Sequence, residues 1–202
     1  MNCWISLDIA DMFRWTYPFG TSGVPAARDA DPGRIRNEAF FEKIYGKYRK
    51  EPPNGCAHVT CTPRERLERV PWLPKSGGVM QAASVEGAAA KLRLVVRDLE
   101  AIGPEFVPYL APNGGSYVPR CIAGTTWLSV HSFGIAFDIN PQYGQYWQYG
   151  LPGALDESQV WERNLPLVYK NKLPLEIVAA FEKHGFIWGG KRYHFDGMQI
   201  PA

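Results

Sequence analysis

Two stretches in the C-terminal half of the chain carry side chains that could bind a metal ion. The first, residues 128–140, has the sequence LSVHSFGIAFDIN and contains His131 and Asp138. Imidazole nitrogen and carboxylate oxygen are both good ligands for Zn²⁺. Apolar residues alternate with Ala, Asp and Asn from position 135 onward, which predicts a β-strand, and Gly134 allows a bend just before it. His131 and Asp138 could therefore converge on one metal ion, although an edge strand with a solvated Asp and a hydrogen-bonded His explains the same spacing.

The second stretch, residues 186–199, has the sequence FIWGGKRYHFDGMQ. It contains Asp196, a candidate general base that would take a proton from metal-bound water, whose pKa a metal lowers to about 7. The alternative is a turn residue, because Asp before Gly is common in turns. The Trp-Gly-Gly at 188–190 indicates an aromatic side chain packed where backbone segments must approach closely.

Hydrophobic periodicity predicts three helices that would position these stretches. They cover residues 34–49, 85–102 and 174–184, and the second is the clearest because its apolar residues fall on one face at helical spacing. Residues 51–78 hold many Pro, Gly and charged residues and are predicted to be an irregular insertion. From 113 to 140 the chain is predicted to turn to strand and loop.

These elements favour a single α+β domain over residues 1–202. Its fold would be a small, mostly antiparallel sheet with packed helices, and the metal site would lie at one end of the sheet, on the strand that contains Asp138. We divide the domain into a variable N-terminal part, 1–84, and a helix plus catalytic core, 85–202. The 17 Pro and 20 Gly residues disfavour a long helical bundle.

The two stretches together resemble motifs of one peptidase family. Residues 129–138 are similar to the SxHxxGxAxD motif of the zinc D-alanyl-D-alanine carboxypeptidases and L-alanyl-D-glutamate endopeptidases, the VanY-like group that includes many phage endolysins. Residues 185–199 resemble the closing motif of that group, an aromatic-rich WGG stretch followed by Asp-x-Met-His-Phe. The similarity covers about residues 113–199. Its strength lies in the order and spacing of the motifs rather than in either motif alone.

The resemblance implies a zinc-dependent peptidase that hydrolyses peptidoglycan stem peptides, of the D,D-carboxypeptidase or the L-Ala-D-Glu endopeptidase type. His131 and Asp138 match two zinc ligands, and Asp196 matches the carboxylate that activates water. Arg120 lies near where the family places a basic group over the substrate carbonyl, where it would stabilise an oxyanion. A surface salt bridge is the alternative for Arg120.

Three further residues are candidates for substrate binding. Ser129 matches the first position of the SxHxxGxAxD motif. Tyr143 and Trp147 belong to an aromatic segment that would line a substrate groove, although packing explains those aromatics equally well. The peptide of the peptidoglycan stem is the partner that all three would contact.

The third zinc ligand of the family is a His, and this chain has Gln199 in its place. Gln is a neutral oxygen donor and a poor ligand for Zn²⁺, which prefers imidazole and thiolate. Three hypotheses follow. His194 takes over as the third ligand, or Gln199 coordinates weakly and lowers the rate, or the domain is a catalytically impaired or dead homologue that binds the cell wall.

Composition excludes other classes of protein. The net charge of +2 gives no electrostatic basis for nucleic-acid binding, and no apolar stretch approaches the length of a membrane span. Asp8 and Asp11 interrupt the N-terminal region where a signal peptide needs an apolar core. We therefore expect a monomer made in the cytoplasm and delivered to the cell wall by another route. Cys56 and Cys61 are expected to be reduced thiols.

Overall fold

The computed structural model describes residues 8–20, 27, 30–46, 64–76, 78–122, 128–150 and 167–202. The helices in these ranges are α1 (Glu38–Tyr45), α2 (Ala88–Ile102), α3 (Val107–Leu110) and α4 (Leu175–Glu182). The strands are β1 (Leu67–Trp72), β2 (Gly78–Ala83), β3 (Ala136–Asp138) and β4 (Gln199–Pro201). The predicted α+β class is confirmed, but the strands form two separate antiparallel pairs, β1–β2 and β3–β4, rather than one sheet.

The predicted helix at 85–102 is confirmed as a short 3-10 turn followed by α2. The apolar face of α2 is buried and includes Leu92, Val95 and Leu99. It packs on β1, β2 and α4, because a helix with one apolar stripe must cover that stripe with another element. Gly103, at φ 129°, ends the helix.

The prediction of an irregular insertion over 51–78 is wrong at its C-terminal end, where Leu67–Trp72 forms β1. Val70 and Trp72 are buried, whereas Arg69 and Pro71 are exposed, which is the period of two that a half-buried strand requires. Proline masked this pattern in the sequence. Pro71 is tolerated because β1 pairs with β2 on one side only.

The β3–β4 pair carries the metal-binding candidates. Phe137 lies opposite Ile200, and Asp138 lies opposite Gln199. Phe137 and Ile200 are fully buried in the core that α2 and α4 share. The other edge of β3 is bonded to a loop, since the Asp138 N–H donates to the Gly115 carbonyl at 2.8 Å. At Asp138, strand β3 is therefore paired on both edges, which fixes the position of the Asp138 backbone.

A buried ion pair holds the loop after α4 against the N-terminal segment. The Lys191 Nζ lies 2.6 Å from Glu182 Oε1 and also donates to the Pro18 carbonyl at 2.9 Å. The Tyr17 hydroxyl contacts Glu182 and accepts a hydrogen bond from the Trp188 N–H at 2.9 Å. These contacts fix the start of the stretch that carries Asp196.

The remaining predicted elements are shorter than expected. The 34–49 helix is observed as α1, and the 174–184 helix as α4. In the described ranges no helix combines the length and the apolar composition needed to cross a membrane. Cys56 and Cys61 lie outside the described residues, and Cys121 is disulfide-bonded.

Candidate functional site

His131 lies in a 3-10 turn, Val130–Phe133, just before β3. The turn begins at Ser129, whose hydroxyl oxygen accepts a hydrogen bond from the His131 N–H at 3.4 Å. It ends at Gly134 in the left-handed conformation, with φ 69°. A side chain at that glycine would be strained and would also approach Leu67 Cδ2 within 2.6 Å. The glycine of the motif is therefore needed for the bend between His131 and Asp138.

One ring nitrogen of His131 is committed to the protein. Nδ1 lies 2.6 Å from the Ser116 carbonyl oxygen, and because a carbonyl can only accept, Nδ1 carries the proton. In the neutral ring Nε2 then presents a lone pair, as in metal-binding histidines whose other nitrogen is held by a carbonyl. The ring is 1% exposed, so its orientation is fixed by packing as well as by this bond.

Asp138 ends β3 with its carboxylate directed at that lone pair. Its Oδ1 is 3.3 Å from His131 Nε2. The same oxygen is buried and receives no hydrogen bond from any described residue. A buried carboxylate oxygen without a donor is costly unless a cation or a water satisfies it. The pair therefore offers two donor atoms to a cation. A bound cation would also supply the positive partner that the buried carboxylate oxygen lacks.

Gln199 completes the cluster from β4, but with the nitrogen of its amide inward. Its Oε1 accepts a hydrogen bond from Arg192 Nη1 at 3.0 Å, and its Nε2 is 3.3 Å from His131 Nε2. A guanidinium can only donate, so the amide oxygen has to face Arg192. The amide nitrogen then donates to His131.

Asp196 is the second carboxyl-bearing residue of the site. Burial, and next the neighbouring Asp138 carboxylate, raise its pKa to about 6, although Arg192, His131 and a hydrogen bond from the Met198 N–H act in the opposite direction. Its Oδ1 is buried and has no hydrogen-bond partner among the described residues. A carboxyl group that titrates near pH 6 can accept a proton at neutral pH and release it again.

The Trp-Gly-Gly sequence positions Asp196 through close backbone contact. The Gly189 carbonyl accepts hydrogen bonds from the Asp196 N–H at 3.0 Å and from the Arg192 N–H at 3.2 Å. A Cβ on Gly189 would lie 2.5 Å from the Asp196 carbonyl oxygen. Only glycine allows this approach, which explains the motif physically.

His194 is engaged elsewhere. Its Nδ1 lies 2.5 Å from Asp31 Oδ2, and its backbone N–H donates to Asp31 Oδ1 at 2.9 Å. Burial acts to raise the pKa of Asp31, but the hydrogen bonds and charge of His194, together with the charge of Arg34, outweigh it and lower that pKa. The ring packs edge-on against Trp147, with centroids 5.0 Å apart. His194 is 1% exposed.

The other predicted site residues are dispersed. Ser129 is 2% exposed and starts the His131 turn. Trp147 is buried and packs with Phe195, so it belongs to the interior rather than to an open groove. Tyr143 is half-buried, with its ring 4.4 Å from that of Tyr109. Arg120 is exposed, and its backbone is bonded to Ser129 and Ser132.

Three residues at or near the site were missed by the sequence interpretation. Ser116 contributes a backbone carbonyl, which leaves no trace in side-chain type. Asp31 acts across 163 positions of sequence. Arg192 had a usable signal, because a basic residue between the WGG stretch and Asp196 is a candidate for burial and pairing. Arginine is rarely buried unless it is paired.

The donor set fits Zn²⁺ in two positions and not in the third. His131 Nε2 and Asp138 Oδ1 are of the correct chemical type and close together. Catalytic zinc sites use three protein ligands, and Gln199 presents a nitrogen that carries hydrogens. In the described part of the chain, no group of three or more His, Cys, Asp or Glu side chains is arranged to hold a metal.

Comparison with known proteins gives one match. A family model described as D-alanyl-D-alanine carboxypeptidase matches residues 123–199, which include His131, Asp138, Asp196 and Gln199. No curated protein and no solved structure matches the chain. The matched segment contains both motifs and the contacts between them. The match therefore supports a relationship to the peptidoglycan-acting peptidases of the D-alanyl-D-alanine carboxypeptidase kind.

Proposed function

We propose that this chain is a zinc-dependent peptidase that hydrolyses peptidoglycan stem peptides of the D-Ala-D-Ala type. The observation that carries the proposal is the 3.3 Å approach of His131 Nε2 to Asp138 Oδ1, beside a carboxyl group whose pKa is about 6. The family match over 123–199 supports the substrate class. The family resemblance also allows a second substrate bond, the one between L-Ala and D-Glu.

In this proposal His131 and Asp138 hold the metal. Ser116 keeps the proton on His131 Nδ1 and so leaves Nε2 available. When bound, Zn²⁺ would lower the pKa of a water molecule and polarise a carbonyl group. With two protein donors instead of three, the affinity is expected to be low, and the rate is expected to follow zinc occupancy.

Asp196 acts as the proton acceptor. Its Oδ1 is buried and receives no hydrogen bond from the described residues, so it is available to take a proton from water and to return it to the leaving amine. Arg120 is exposed on the segment whose Val118 N–H donates to the His131 carbonyl. We assign it the role of binding a carboxylate or carbonyl oxygen of the substrate.

A second candidate is a domain that binds stem peptides without cutting them. The inward amide nitrogen of Gln199 favours it, because that group occupies the side of His131 Nε2 that a metal needs. Under this hypothesis the pocket would hold a peptide through hydrogen bonds, and a chelator would leave binding unchanged.

Incubation of the purified protein with peptidoglycan separates the two candidates. The peptidase is expected to release peptide fragments or D-Ala in the presence of Zn²⁺, to stop with chelator, and to lose this activity as His131→Ala. Co-sedimentation with peptidoglycan, without release at any zinc concentration, would replace the peptidase proposal by the binding domain. Lys183→Met, on the exposed end of α4, is a control variant that should behave as wild type.

A further inference from the structure

We propose that Arg192 is a positioning residue that holds the Gln199 amide as a hydrogen-bond donor to His131, so that Gln199 closes the third coordination position instead of filling it. This inference rests on the proposed function only in treating the His131–Asp138 pair as a metal pocket. It concerns two residues that the peptidase motifs do not explain. Its evidence is the polarity of three consecutive contacts.

The three contacts allow one orientation of the amide. Arg192 Nη1 is 3.0 Å from Gln199 Oε1, and Gln199 Nε2 is 3.3 Å from His131 Nε2. Turning the amide over would set its NH₂ against a guanidinium, donor to donor. It would also set its oxygen against the lone pair of Nε2, acceptor to acceptor. The Arg192 contact by itself requires the amide oxygen on the outer side, and the neutral His131 ring, with its proton on Nδ1 toward Ser116, accepts at Nε2 in agreement with it.

Arg192 and Gln199 are each held in place by the structure around them. Arg192 is 5% exposed, and its Nε donates to the Pro32 carbonyl at 3.1 Å. Its Nη2 lies close to Gly33, 3.7 Å from where a Cβ on that glycine would be. Gln199 is fixed by its backbone position opposite Asp138 in the β3–β4 pair. The Arg192 side chain cannot move away without losing its bond to the Pro32 carbonyl, and the Gln199 side chain cannot do so without losing its contact to Arg192.

A metal ion entering the pocket therefore meets two obstacles. It must displace the amide hydrogen from His131, and it gains no donor from Gln199 in return. The effect of Gln199 on zinc affinity is then opposite in sign to that of a ligand. A ligand helps when present, whereas this residue hinders, and Arg192 is the reason that it hinders.

Calorimetric titration with Zn²⁺ alone, on the full chain, tests the sign. Gln199→Leu removes the amide and offers no ligand, and it should bind Zn²⁺ several-fold, up to about tenfold, more tightly than wild type. Arg192→Met frees the amide to present its oxygen, and it should bind about tenfold more tightly. Arg34→Met is the charge control, because Arg34 is a cation close enough to interact with Arg192 and is not bonded to Gln199. It should change the affinity by less than about threefold.

Nitrogen-15 NMR of metal-free wild type gives a readout independent of metal and of activity. It should show a His131 with the proton on Nδ1 and an Nε2 that accepts a hydrogen bond. That bond should be lost in Gln199→Leu. If Arg192→Met does not fold, as judged by thermal melting, the proposal is tested by the zinc affinity of Gln199→Leu and by this spectrum.

The proposal is overturned if Gln199→Leu binds Zn²⁺ no more tightly than wild type, because removal of a residue that hinders the metal must raise the affinity. It is also overturned if Arg192→Met raises the affinity for Zn²⁺ no more than Arg34→Met does. Absence of peptide hydrolysis by the wild type and by every variant, with the expected zinc affinities, would contradict the proposed function and leave this inference standing.

Discussion

Asp138 and Gln199 face each other across the β3–β4 pair. The backbone register thereby puts residue 199 at the pocket of His131 and Asp138, whatever its side chain. A one-residue slip would turn residue 199 to the opposite face of the pair. The identity of residue 199 thus sets how many donors the pocket offers, and the backbone is already arranged for a third.

Gln199→His should therefore create a third zinc ligand. An imidazole is a stronger donor for Zn²⁺ than a neutral amide, and we expect the zinc affinity to rise by more than about tenfold, or roughly 1.4 kcal/mol. Competition with a chromophoric chelator measures it. Gln199→Asn, which keeps the amide but shortens it, is the control and should gain no more affinity than Gln199→Leu. Equal affinities for Gln199→His and wild type would mean that residue 199 does not reach the metal.

Asp196→Asn should stabilise the metal-free protein at neutral and alkaline pH. Burial and Asp138 raise the pKa of Asp196 to about 6, from 3.8. The folded state therefore binds this proton more tightly than the unfolded state, and the free energy of unfolding falls as pH rises from about 4 through 6. The variant removes that loss, which is about 2–3 kcal/mol by the pKa difference.

Urea unfolding with chelator present, at pH 4 and at pH 8, measures this gain. We expect a gain in the free energy of unfolding at pH 8 and almost none at pH 4. The same gain at pH 4 and at pH 8 would show that the pKa of Asp196 is not raised in the folded protein.

Lys191→Met should be strongly destabilising. Lys191 is 0% exposed and lies 2.6 Å from Glu182 Oε1, which is itself buried. Removing one partner leaves a buried charge uncompensated, at a cost of about 3–5 kcal/mol. The control is Lys183→Met, which breaks an ion pair between Asp98 and a largely exposed lysine and should cost at most about 1 kcal/mol. Chemical denaturation of both variants gives the comparison, and similar small losses would argue against a buried anchor.

His194→Gln should lower stability and leave zinc affinity unchanged. The variant weakens the buried bond to Asp31, and leaving that carboxylate without its partner should cost about 1–3 kcal/mol. The pKa of Asp31 is lowered in the folded protein. Its contribution to stability is therefore present above pH 4 and is lost as pH falls through the folded-state pKa. A fall in zinc affinity, measured as for Gln199→His, would identify His194 as a ligand.

The sequence predicted the elements whose pattern is local. Helix α2, with its continuous apolar stripe, and strand β3, with its alternation, needed no distant information. Strand β1 was missed because Pro71 hid a two-residue period that only its pairing with β2 makes stable. Two separate sheets also could not be foreseen, since pairing between distant strands depends on tertiary contacts.

The site shows the same division. The motif spacing indicated His131, Asp138 and Asp196, but not the groups that orient them. The Ser116 carbonyl and the Asp31 carboxylate arrive from distant loops. The orientation of the Gln199 amide follows from Arg192 as a donor, and sequence spacing contains no information about which end of an amide faces inward.

The decisive experiment for the proposed peptidase activity uses a synthetic stem peptide that ends in D-Ala-D-Ala. Release of D-Ala from it is monitored by mass spectrometry in the presence of added Zn²⁺. We expect slow release by wild type, faster release by Gln199→His, and none by Asp196→Asn or with chelator. No release by wild type or by Gln199→His, although both bind Zn²⁺, would contradict it, and so would undiminished release by Asp196→Asn.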